Sequence, residues 1–199
     1  MWSGGSGETG RSMGEQRTIY TIGHSTRTIE EFVALLREHG IEVLVDVRRF
    51  PGSRRHPQFG SAALVASLRE AGIGYVHAEA LGGRRSSEAG ARSPNAAWRN
   101  DAFRAYADYM ATPAFRAALD RLIELSRERT AVIMCAEAVP WRCHRRLITD
   151  ALLARGVPVA NIVGPGAASP ARLSEHAVVR EDGSIVYPAA AGAQEELFG

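Results

Sequence analysis

The stretch R-T-I-Y-T-I-G-H-S-T-R-T-I-E-E-F-V-A-L-L-R-E-H-G-I-E-V-L-V-D-V, Arg17 to Val47, decides the fold. Arg17 to Ile22 reads as a strand, and Gly23 lets the backbone turn sharply before His24 and Ser25. Thr28 and Glu31 form a T-x-x-E capping box, Phe32, Leu35, Leu36 and His39 recur at helical spacing, and Gly40 supplies the stop. Ile41 to Val47 is then a nearly continuous apolar run, rich in β-branched residues, with Asp46 close to its exit. Such runs are buried on both faces of a parallel sheet. Strand, helix and strand in this order make a βαβ unit.

The rest of the chain repeats that alternation. Arg48 to Gly60 holds Pro51, Pro57, Gly52 and four arginines, so it reads as a loop above the second strand. A short helix from Ser61 to the stop at Gly72 leads to a third strand, Gly74 to Ala78, with His77 and Glu79 at its end. Leu81 to Asn100 is rich in Gly, Ser and Arg, and a connection of that length is a functional lid or simply mobile. A helix begins at Asp101 with Phe103, Tyr106 and Met110 on one stripe, and Thr112-Pro113 opens another carrying Phe115, Leu119, Leu122 and Ile123. Thr130 to Met134 is the fourth strand, a helix runs to Gly156, and Val157 to Val163 is the fifth. Val178-Val179 and Ile185 to Tyr187 around Asp182-Gly183 form a terminal hairpin. The expected fold class is therefore α/β. Residues 17–188 form a single three-layer domain, with a mainly parallel sheet of about five strands, helices on both faces and a C-terminal hairpin. Residues 1–16 are expected to be disordered and 189–199 to be a flexible tail.

At 199 residues the chain suits one domain with a full core. Its 45% hydrophobic and 23% charged composition is ordinary for a globular protein, and no apolar run is long enough for a membrane span. The first residues lack the apolar segment of a secretory signal, so the cytoplasm is the expected compartment. Every one of the 24 basic side chains is arginine, which suits bidentate contact with phosphate or carboxylate, so the cluster Arg48, Arg49, Arg54 and Arg55 can read an anion or simply be a solvated loop. The two cysteines suggest reduced thiols or metal ligands more than a structural disulfide.

Both cysteines fall in M-C-A-E-A-V-P-W-R-C-H-R-R, Met134 to Arg146, where a strand turns into a helix. In parallel α/β proteins ligands bind at such turns. His24-Ser25, Asp46 to Arg48, His77 to Glu79 and Cys135 to Glu137 all leave strands at the same edge and should share one cleft. The G-H-S at Gly23, the D-V-R at Asp46, the L-G-G at Leu81 and above all C-A-E-x-x-P-x-x-C-H-R resemble the domain of unknown function 488 family over about residues 17–188. That resemblance supplies an alignment and no activity.

Chemistry has to come from the residues. Cys143 lies at a helix N-terminus, where unpaired N–H groups and the helix dipole stabilise a thiolate, so it is the candidate nucleophile ahead of Cys135 at the end of a buried strand. His144 or His24 would carry protons, Asp46 and Glu137 would orient groups or act as bases, and Arg48, Arg142, Arg145 and Ser25 would hold an anion. A phosphatase-like cradle fits poorly, because six residues separate Cys135 from Arg142 and Glu137 stands where a dianion would sit. Cys135, Cys143 and His144 could instead hold zinc or iron. The reading favours an enzyme acting on a phosphate-bearing substrate, a nucleotide or nucleic acid. A nucleic-acid-binding or adaptor module with structural cysteines, and a metal-dependent enzyme, are the alternatives. Finally, Q-x-x-L-F at Gln194, Leu197 and Phe198 resembles the peptide by which bacterial replication and repair proteins dock on the DNA sliding clamp.

Overall fold

A computed structural model describes residues 16–52, 55–85 and 93–189. Along the chain run β1 (Ile19–Gly23), α1 (Ile29–Glu38), β2 (Val43–Asp46), α2 (Ser61–Glu70) and β3 (Gly74–His77). Then follow α3 (Asp101–Tyr109), α4 (Pro113–Glu128), β4 (Ala131–Cys135), α5 (Arg145–Ala154), β5 (Val159–Ile162), β6 (Ser169–Pro170), β7 (Val178–Val179) and β8 (Ile185–Val186). The main sheet has six strands in the order β3-β2-β4-β1-β5-β6, all parallel except the edge strand β6, and β7 with β8 forms a separate antiparallel hairpin. No helix among the described residues is long and apolar enough to cross a membrane.

Side-chain alternation along the strands sorts the core into two layers. Ile22, Leu44, Val132 and Met134 face one way and meet Phe32 and Leu36 of α1 and Leu64 and Leu68 of α2. Ile19, Val45, Ile133 and Cys135 face the other way and meet Tyr106, Phe115, Leu122 and Leu147 from α3, α4 and α5. Period-2 alternation makes this sorting automatic, and each large side chain so buried contributes roughly 1.5–3 kcal/mol.

The helix starts follow local chemistry. Thr28 accepts from the Glu31 N–H while Glu31 accepts from the Thr28 N–H, completing the capping box of α1. Asn100 caps α3, and Thr112 with Pro113 opens α4. The start of α5 differs: no side-chain oxygen caps it, and the Arg145 N–H instead meets the Cys143 sulfur at 3.5 Å.

Strand order positions the cleft. The connection from β1 travels through α1 towards β2, whereas that from its neighbour β4 travels through α5 towards β5. Adjacent parallel strands whose connections part in this way leave a crevice at their C-terminal ends. The β1 and β4 exits stay zipped beyond the strands, with His24 N–H donating to the Cys135 carbonyl at 3.0 Å and Ser25 N–H to the Ala136 carbonyl at 2.9 Å. Gly23 is required there, since a Cβ would lie 1.8 Å from the Glu137 carbonyl oxygen.

Candidate functional site

The crevice is a cavity of about 620 Å³. Cys135, Cys143 and His144 are on its wall with His24, Arg48 and Glu137, and Arg49, Phe50, His56, Arg84 and Arg142 line it further out. Phe50 (63% exposed) and Arg142 stand in solvent, while both cysteines are nearly covered, Cys135 3% and Cys143 4% exposed.

Cys135 ends β4 and Cys143 precedes α5, and the Pro140–Arg142 turn folds the intervening chain back so that the two sulfurs lie 2.7 Å apart. That is inside the ~3.5–4.0 Å at which unbonded heavy atoms of carbon size rest. His144 Nδ1 is 3.5 Å from the Cys143 sulfur, and its Nε2 is 3.0 Å from the Val47 carbonyl. A carbonyl only accepts, so Nε2 carries the hydrogen and Nδ1 faces the thiol as an acceptor. The L-G-G motif shapes this arrangement. A Cβ on Gly83 would be 2.9 Å from His144 Nδ1, one on Gly82 would meet the Arg49 backbone at 2.9 Å, and the Tyr106 and Tyr109 hydroxyls pin the preceding segment by donating to the Leu81 and Ala80 carbonyls.

Beneath the thiols sits Arg145, fully buried. It donates to Thr21 Oγ1 at 3.1 Å and to the Glu137 carbonyl at 2.6 Å, its Nε has no partner, and no carboxylate pairs with it among the described residues. Burying a cation without an anion is costly, and the groups beside this one that can become anionic are the two thiols. Burial alone would raise the Cys143 pKa. The hydrogen bond from Cys135, the Arg145 charge and the Arg145 N–H outweigh it and bring the thiol to about 7. Cys135, as donor to that thiolate and itself buried, is pushed well up. Burial also lowers the His144 pKa, against the neighbouring thiol pair and the Val47 carbonyl. It lowers His24 to about 4, opposed by the Ser25 carbonyl and helped by Arg48 and His56. His24 Nδ1 is 2.9 Å from that carbonyl, and the ring stacks on Phe59 with centroids 4.3 Å apart.

The sequence-derived candidates therefore divide. His24, Arg48, Cys135, Glu137, Arg142, Cys143 and His144 reach the cavity wall. Asp46 lies underneath, fully buried, bonded to the Arg48 guanidinium at 2.6 Å and the Tyr75 hydroxyl at 3.0 Å. Arg48 also donates through Nη1 to the Phe59 carbonyl at 2.9 Å, so it braces the wall, and the Arg145 guanidinium is directed to Thr21 and the Glu137 carbonyl. Ser25, at φ 50°, uses its N–H on Ala136 and its carbonyl on His24. Arg84 and Phe50 were not singled out from sequence, because isolated loop residues carry no periodic signal. Arg49 donates to the Arg84 carbonyl and leaves its buried Nε unpartnered among the described residues. Gln194, Leu197 and Phe198, Arg54 and residues 1–15 lie outside the described residues.

The family profile titled Domain of unknown function DUF488 matches residues 28–152, which include Asp46, the L-G-G segment and the whole of C-A-E-x-x-P-x-x-C-H-R. The chain belongs to the DUF488 family. The match stops short of Gly23-His24-Ser25, although the β1 exit is hydrogen-bonded to the matched β4 exit. No curated protein and no solved structure gives a significant match to the chain.

Proposed function

We propose that the chain is an enzyme that uses the Cys143 thiolate as a nucleophile on an anionic, phosphate-bearing substrate, a nucleotide or nucleic acid. The observation that carries this reading is the fully buried Arg145, which has no carboxylate partner among the described residues and lies against the Cys143 and Cys135 thiols. A cation placed there holds Cys143 ionised near neutral pH, and the thiolate is the reactive form of cysteine. His144 Nδ1, set by the Val47 carbonyl at the opposite nitrogen, faces the Cys143 sulfur as a neutral acceptor and can relay the thiol proton onward. Arg49, Arg84 and Arg142 at the mouth supply positive charge, and Phe50 offers an exposed aromatic face against which a base can stack.

Fluorescence anisotropy with a labelled single-stranded oligonucleotide, competed by nucleotides, tests the substrate class. Cys143→Ser should bind like wild type, while Arg84→Ala with Arg142→Ala should weaken binding about tenfold or more and reduce its salt dependence. No binding by any form, or equal binding by all three, rejects the phosphate-bearing substrate.

A metal centre is the second reading, favoured by one observation: the Cys135, Cys143 and His144 donor atoms lie within 4.8 Å of one another. His144 is also oriented by a backbone carbonyl, as metal-bound histidines are. Metal–sulfur bonds of ~2.3 Å in a tetrahedral site would hold the sulfurs about 3.8 Å apart, so the observed 2.7 Å would have to open by about 1 Å. Two unbonded thiols also rest farther apart than 2.7 Å, so the separation favours neither state. Metal analysis of the purified protein decides the matter, and a stoichiometric zinc or iron ion would replace the free thiolate reading.

A further inference from the structure

The sulfur pair has a property that a single nucleophile does not need. Cys135 serves Cys143 as a hydrogen-bond donor, yet a hydroxyl or a backbone N–H would do that as well without a second oxidisable atom. The two sulfurs are 2.7 Å apart with no atom between them, and closing to the ~2.05 Å of a disulfide takes roughly 0.65 Å. Both are free thiols, both line the cavity, and the seven residues between them already make the reverse turn a bridge would span. Cys143 stands at the N-terminus of α5, where the Arg145 N–H meets its sulfur at 3.5 Å, whereas Cys135 ends the buried strand β4. Attack therefore starts at Cys143.

We infer that Cys143 and Cys135 form a dithiol couple that reduces a small disulfide entering the cavity, with Cys143 as the attacking and Cys135 as the resolving thiol. The inference rests on Cys143 being the nucleophile proposed above. In the first step the Cys143 thiolate bonds to one sulfur of R–S–S–R, the S–S bond breaks, and R–S⁻ leaves and takes up a proton. In the second, Cys135 gives up its proton and bonds to the Cys143 sulfur, the mixed disulfide breaks, and the second R–S⁻ leaves and is protonated. The disulfide gains two electrons and two protons and becomes two thiols; the protein loses two hydrogens and holds a Cys135–Cys143 bridge. An external dithiol restores it by the reverse exchange.

Oxidised glutathione is the probe, with intact-mass analysis and thiol counting as readouts. Wild type should lose two hydrogens, carry no adduct and present no alkylatable thiol, and dithiothreitol should reverse all three. Cys135→Ser and Cys135→Ala should stop at one glutathione on Cys143, and Cys143→Ser should react at least about tenfold more slowly. Two different substitutions at Cys135 guard against one that folds poorly, with circular dichroism as the check. A stable glutathione adduct on wild type, or the same product from wild type and the Cys135 variants, overturns the couple but leaves Cys143 as nucleophile. A Cys143 that resists both glutathione disulfide and iodoacetamide at neutral pH removes the couple and the proposed nucleophile together.

Discussion

Arg145 connects three parts of the fold: its guanidinium donates to Thr21 on β1 and to the Glu137 carbonyl after β4, and its backbone N–H meets the Cys143 sulfur at the start of α5. Arg145→Met keeps the side-chain length and removes the charge, so the pH midpoint of iodoacetamide reaction at Cys143 should rise by about one unit or more, while Arg145→Lys should restore part of the shift. An unchanged midpoint would mean that the charge does not act on the thiol. Gly83 is the matching test of shape. A methyl there intrudes on His144 Nδ1, and the ring can yield only by leaving the Val47 carbonyl. Gly83→Ala should cost about 1–3 kcal/mol in denaturant unfolding and displace the His144 ring resonances in NMR spectra. At this scale sequence was a partial guide. C-H-R includes Cys143 and His144, which line the cavity, but arginine at a helix start reads equally as solvated or as a clamp, and nothing local reveals that Arg145 lies inside. The neighbour of His144 is likewise hidden, because Gly83 reaches it only through the tertiary path of the chain.

Elements were easier to read than contacts. The T-x-x-E box foretold the start of α1, and Thr28→Ala should lower stability by about 1 kcal/mol, measured by urea unfolding. The apolar run Ile41 to Val47 was read as a buried parallel strand, and β2 is buried along its whole length. Harder to foresee was β6, a two-residue antiparallel edge of Ser169 and Pro170, which has no alternation and contains the residue strands usually exclude. The glycine of G-H-S points in sequence to a sharp turn, and in the structure it also makes an element-to-element contact: backbone of the β4 exit occupies the space a side chain would need. Gly23→Ala should therefore destabilise by roughly 3 kcal/mol or more, because neither backbone can yield without losing the His24–Cys135 hydrogen bond. Gly40→Ala, at φ +61° with open space around it, isolates the conformational cost alone and should lose about 1–2 kcal/mol.

Across the whole molecule, parallel pairing and the two-layer core followed from the alternation of strand and helix patterns, but strand order did not, since nothing in a linear pattern says that β4 inserts between β2 and β1. That insertion brings His24 and Cys135 together and buries His24. Its pKa is held near 4, below the ~6.5 of an unfolded chain, so the unfolded state takes up the proton first. The corresponding stability is complete above about pH 6.5 and is lost as pH falls towards 4, with His144 acting in the same direction. His24→Asn retains an N–H near the Ser25 carbonyl and removes the titration; its unfolding free energy should fall less steeply over that window than wild type, and equal slopes would rule out His24 as a source of the loss. The same insertion orders assembly in time. As the chain leaves the ribosome, β1 emerges first, yet Tyr20 pairs with Val132 on one side and Ala160 on the other. Of the strands in this sheet, β1 must wait unpaired until β4 and β5 have been made, and the crevice cannot exist until β4 arrives to enclose it.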